Sequence, residues 1–283
     1  MRKGFLFIVS ALAVTILMGL SVLGCTDKKS VANESDSIDS TASTVAADTL
    51  EQIISETPMP KAADELFDDF FFNFAANKKL QRKRIKFPLT VTKKNGTSTI
   101  TAKQWTIDNF FMKQDFYTLI FDNQRQMDIV KDTTVGHVIV EKIYLKKHTI
   151  KQYLFDRENG QWQLTAINYE DMSKSENASF LNFYCHFATD SAYQVHNIND
   201  PLQFSGPDPD NDFGTMNGIL APEQWPSFAP ELPHGVIYNI LYGQKYGKSQ
   251  QKIFIIRGIA NGLETELTFK KKNGQWKLTK LII

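Results

Sequence analysis

FDRENGQWQLT at residues 155–165 and FKKKNGQWKLT at residues 269–279 are one strand–turn–strand unit written twice. In each, Asn-Gly separates two runs of strand-forming residues. That dipeptide closes a two-residue hairpin readily because both of its residues tolerate a positive φ. Working back from these hairpins, the repeat widens. FDDFFFNFA (67–75) returns as FLNFYCHFA (180–188), and KQW ending at Trp105 returns as EQW ending at Trp225. The offset is about 113 residues at the start and about 114 at the end, the size of a domain rather than of a solenoid unit. The chain therefore reads as two like domains in tandem, residues 64–172 and 173–283.

Within each copy the first element is a helix. Phe67, Phe70, Phe71 and Phe74 fall at i, i+3, i+4 and i+7, as do Phe180, Phe183, Tyr184 and Phe187, which makes one apolar stripe. Asp68, Asp69 and Asn73 lie off that stripe. Ile85, Pro88 and Leu89 then match Ile198, Pro201 and Leu202. The copies diverge next. TVTKKNGTSTIT (90–101) predicts a hairpin with Asn95-Gly96 at its tip, whereas GPDPDNDFG (206–214) predicts a loop. A short helix follows in each copy, with Thr101 and Gln104 as a capping box in the first and Pro222 in the first turn of the second. The rest is strand. YTLIFDN (117–123) aligns with IYNILYG (237–243), and HVIVEKIYLKK, IKQYLFD, KIFIIRG and ETELTFK are rich in β-branched residues. The class is α+β: two tandem cone-like domains, each with N-terminal helices packed on a curved antiparallel sheet.

This order of elements, closed by an aromatic–x4–G–x–W–x–L hairpin, resembles the nuclear transport factor two-like cone fold, whose superfamily includes ketosteroid isomerase and polyketide cyclase relatives. The arrangement also resembles a Bacteroides-type lipoprotein family known only as a domain of unknown function. The resemblance covers residues 64–283 and rests on fold motifs. It implies a sheet curled around a cavity, and in the enzymes of that fold an inward Asp, His or Tyr does the chemistry. An isomerase or cyclase working in one cone is the alternative to a non-catalytic module, as is a scaffold with both cones filled. No catalytic set is legible. His137 and His148 have no counterpart in the second copy, His186 stands where the first copy has Asn73, and His196 and His234 fall in expected loops. For an apolar ligand the candidate lining residues are Tyr117, Tyr144, Trp162, Trp225, Tyr238 and Trp276. Asp208, Asp210 and Asp212 imitate the start of a calcium loop. However, Phe213 stands where glycine is required, and Ile219 where a bidentate Glu is required. No cofactor motif is present.

The N-terminal end supplies an address. Arg2 and Lys3 precede an uncharged apolar run (4–23), and Val22-Leu23-Gly24-Cys25 follows. This resembles a bacterial lipoprotein signal over residues 1–24, with Cys25 as the lipidated residue and the membrane as a partner through it. Residues 25–63, rich in Ser, Thr, Ala and Asp, read as a disordered tether. Thr26 rather than Asp after Cys25 points to the outer membrane of the cell envelope. Cys185 is the other cysteine, so no internal disulfide is expected and a buried apolar role is. The formal charge of +1 loses Arg2 and Lys3 on cleavage, and no basic face implies nucleic acid. The expected role is a lipid-anchored, non-catalytic module for a small apolar ligand or an envelope protein.

Overall fold

The computed structural model describes residues 59–208, 210–259 and 261–283. Cys25 and most of the tether lie outside them. Each half opens with two helices: α1 (Phe67–Ala76) and α2 (Lys78–Lys83) in the first, α3 (Ala178–Phe187) and α4 (Ser191–His196) in the second. Only the first of each pair is expected from periodicity. The second is started by a side-chain cap. Asn77 Oδ1 accepts from the Lys79 and Leu80 N–H groups at 3.0 Å, and Asp190 Oδ1 accepts from the Tyr193 N–H at 2.9 Å. Among the described residues, no helix is long and apolar enough to cross a membrane.

The strands are β1 (Ile85–Lys93), β2 (Gly96–Ile100), β3 (Phe116–Phe121), β4 (His137–Tyr144), β5 (Thr149–Glu158) and β6 (Gln161–Asp171) in the first half. The second half supplies β7 (Ile198–Asp208), β8 (Asn211–Leu220), β9 (Val236–Leu241), β10 (Gln251–Gly258), β11 (Glu264–Lys272) and β12 (Gln275–Ile282). The closing hairpins turn as expected, with Asn159 and Gly160 at φ 52° and 76°, and Asn273 and Gly274 at 51° and 81°. Two expectations are corrected. Residues 206–214 are not a loop: β7 and β8 pair from Leu202↔Leu220 to Asp208↔Asn211, because buried Leu202, Phe204 and Leu220 anchor both arms. Thr101 and Gln104 do form their capping contact, Thr101 N–H to Gln104 Oε1 at 2.8 Å, but it closes a single turn and no helix. There Trp105 is drawn into the core and the chain continues extended.

All the strands join one sheet in the order β2-β1-β6-β5-β4-β9-β3-β10-β11-β12-β7-β8. The halves exchange a strand. β3 pairs antiparallel with β10 of the second half, and β9 pairs antiparallel with β4 of the first. The exchanged pair meets in parallel, with Thr118 opposite Asn239. Two like strands side by side and parallel are related by a twofold axis lying in the sheet along the strands. Such an axis turns the sheet over, so the helices of the two halves cover opposite faces. The cores confirm this. Tyr117, Leu119, Val138, Val140, Tyr238, Ile240, Ile253 and Ile255 pack with α1, while the alternate residues Ile120, Ile143, Ile237 and Phe254 pack with α3. Burial on both faces explains why these strands read as nearly continuous apolar runs rather than alternating ones.

Candidate functional site

In both cones the space between helix and sheet is taken by rings. Phe67, Phe70, Phe71 and Phe74 are at most 3% exposed, and Phe110 and Phe111 close over them with centroids 5.0 and 5.2 Å from Phe71. In the second half Phe180 and Phe187 each lie 5.2 Å from Phe269, and Tyr184 lies 4.5 Å from Phe254. The six aromatic candidates are not brought together. Tyr117, Tyr238 and Trp162 belong to the first core, and Trp225 and Trp276 to the second. Tyr144 is half-buried at the surface, flanked by the Lys142 and Lys147 ammonium groups. Cys185 is half-buried, and burial pushes its thiol pKa up, away from a reactive thiolate. Asp208 Oδ1 accepts from the Asp210 N–H at 3.0 Å, a local turn, and no group of three metal-ligating side chains occurs among the described residues.

Two glutamines do the positioning that sequence reading missed. Buried Gln81 on α2 donates to the Asp108 carbonyl at 2.9 Å, and its Oε1 accepts from Trp105 Nε1 and from the Asp108 N–H, both at 3.0 Å. At the matching place Gln194 donates to the Phe187 carbonyl at 2.7 Å and accepts from Trp225 Nε1 at 2.9 Å. The repeated tryptophans are thus plugs latched to the second helix. The signal was present, since the two glutamines stand 113 residues apart, like the Phe stripes.

Tyr–Asp pairs also appear that no local motif announces. Tyr117 and Tyr242 both donate to Asp68, and Arg257 lies 3.9 Å from it. Burial pushes the Asp68 carboxyl up despite these partners. Tyr153 donates to Asp108, whose other oxygen accepts from the Phe110 N–H at 2.9 Å. Both carboxylates are occupied by their own protein partners. They act as clasps, and the Asp68 clasp joins α1 to β3, to β10 and to Tyr242 just after the end of β9.

A buried titratable group that lies beside open space is Glu141 on β4. It is 2% exposed and accepts from Gln152 Nε2 at 3.2 Å and from Asn239 Nδ2 at 3.0 Å, the latter across the β4–β9 pairing between the halves. Burial, with the nearby Glu170 charge, lifts its carboxyl to about 7. Asn239 Oδ1 has no partner as placed, and turning that amide over would let a protonated Glu141 donate to it. A cavity of about 240 Å³ lies against Glu141, lined also by His137, Glu170, Lys174, Asn177 and Tyr246. Behind its far wall, buried Lys252 donates to Asp122 at 2.6 Å and to Asn177 Oδ1 at 2.7 Å. A larger open groove of about 630 Å³ runs over the second half, lined by lysines and amides of β7, β10, β11 and β12.

The comparisons with known proteins agree with this architecture. The domain of unknown function DUF4348 matches residues 46–282. The crystal structure of an NTF2-like protein from Bacteroides fragilis is similar over 80% of this chain and 98% of its own, with 43% sequence identity and a TM-score of 0.73. No curated protein matches.

Proposed function

Because the chain belongs to the DUF4348 family and has an NTF2-like fold, we propose that it is a non-catalytic binding module of the cell envelope. It is held to a membrane by lipid on Cys25 and meets its ligand or partner on the outer faces of the sheet. The observation that carries this reading is the filling of both cones: the place where enzymes of this fold would hold substrate is occupied by buried phenylalanines. The carboxylate–tyrosine contacts near the first cone are saturated by one another. The same filling favours a second reading, a scaffold with no ligand, and the open groove of the second half favours the first.

The test uses the full chain and a steroid-sized apolar compound, which should be neither bound saturably nor converted. Saturable binding or turnover that disappears in Phe111→Trp, which adds bulk inside the first cone, would overturn the reading. The anchor rests on the residues preceding Cys25, and Cys25→Ala should abolish incorporation of labelled fatty acid. Labelling that persists in that variant would refute it.

A further inference from the structure

The two halves carry matched rows of side chains on the face of the sheet turned away from each half's own helices, and the rows differ in charge. In the first half the row runs from His137 through Asp156 to Gln163, neighbours on β4, β5 and β6. In the second it runs from Gln251 through Lys270 to Lys277, neighbours on β10, β11 and β12. The acidic copy is satisfied internally. Asp156 lies 2.7 Å from His137 Nδ1 and accepts from Thr165 Oγ1 at 2.5 Å, and Glu158 pairs with Lys86 at 2.7 Å. The basic copy is not. Lys272 replaces Glu158, and among the described residues no carboxylate forms an ion pair with Lys270, Lys272 or Lys277.

Like charges placed directly opposite on neighbouring strands destabilise a sheet. Lys270 and Lys277 are such a pair, and an anion between them would relieve the repulsion. They stand in the open groove of about 630 Å³, within the size range of small-molecule sites. No carboxylate is among its described lining residues, and the Gln203 amide lines the same groove as a hydrogen-bond donor. The cations are all lysines. Lysine ammonium groups bind phosphate as compact point charges with three rotatable donors each, and a phosphate carries enough charge to meet two of them at once.

We infer that this groove is a binding site for a phosphate-bearing ligand, carrying two or more negative charges, which bridges Lys270 and Lys277. The inference rests on the binding-module reading above and gives that module its ligand chemistry. The two copies share the row, and Lys270 and Lys272 stand where the first half has Asp156 and Glu158, so the same place in the fold is a closed acidic row in one half and an open basic one in the other.

Calorimetric titration of the full chain carrying Cys25→Ala, so that no acyl chain contributes, with inorganic pyrophosphate is the test. Saturable binding should weaken as salt is raised. In Lys270→Asp/Lys277→Gln, which recreates the first-half row, affinity should fall by at least about tenfold, because both bridging charge-assisted contacts are lost. That variant should melt no lower than the parent, because a like-charge pair is gone. Lys270→Gln/Lys277→Gln gives the same reading if the Asp variant folds poorly. Vesicles of phosphatidylcholine with and without phosphatidic acid locate the source. Binding of the phosphatidic acid vesicles that the lysine variants lose assigns the phosphate to a lipid headgroup, and binding of pyrophosphate alone assigns it to a soluble ligand. No binding to either probe, or equal binding by parent and lysine variants, overturns the site. Apolar-ligand binding or turnover in a cone, which none of these lysines touches, would overturn the binding-module reading separately.

Discussion

Glu141 makes the stability of the fold depend on pH in a stated direction. Its carboxyl titrates near 7 in the native state against an ordinary value of 4.5. Between those values the native state holds a proton that the unfolded chain has released. The associated stability is therefore complete below the unfolded value and is lost as pH rises through 7. A shift of that size corresponds to roughly 3 kcal/mol. Urea midpoints should fall from pH 5 to pH 8, and Glu141→Gln should flatten the fall by about that amount. Asp68 and Glu170 shift in the same direction, so the difference between variant and parent is the informative quantity. Equal slopes would remove Glu141 as the source. Glu141 itself is visible in HVIVEKIYLKK only as a charge in a strand. Its burial arises because β9, some 98 residues later in the chain, brings Asn239 beside it.

The helix–plug latches give a prediction about elements. Gln81 satisfies both Trp105 Nε1 and the Asp108 backbone, whereas Gln194 holds Trp225 alone besides the end of α3. Replacing either by Leu strands buried donors and acceptors, at about 1–3 kcal/mol for each group left unpaired. Gln81→Leu should therefore destabilise more than Gln194→Leu in denaturant titrations, and the reverse order would show that the plugs are held by packing alone. Periodicity revealed α1 and α3 because four rings on one stripe leave a pattern. It missed α2 and α4 because six residues begun by a side-chain cap leave almost none. The Asn-Gly hairpins were legible for the opposite reason, since their conformation is set within two residues.

At the scale of the molecule, the strand exchange makes the halves interdependent. β3 and β9 each contribute to both cores, and Tyr242 of the second half donates to Asp68 of the first. Unfolding of residues 59–283 should be one cooperative transition, with calorimetric and van't Hoff enthalpies equal. Two resolved transitions would mean that each half can melt while the other keeps the borrowed strand's place. The duplication, the α+β class, the helical Phe stripes and the closing hairpins were determined by sequence alone, because periodicity and turn chemistry act over a few residues. Which edge β3 and β9 join was decided by tertiary structure, because the two strands are alike enough to compete for the same neighbours. The filling of the cones was decided there too, since a stripe of rings shows a buried face without showing how much space lies opposite it. So was the lysine groove: the Asn-Gly hairpin by itself sets Lys270 opposite Lys277, but only the docking of β7 and β10 on either side supplies the walls that make the pair part of a groove.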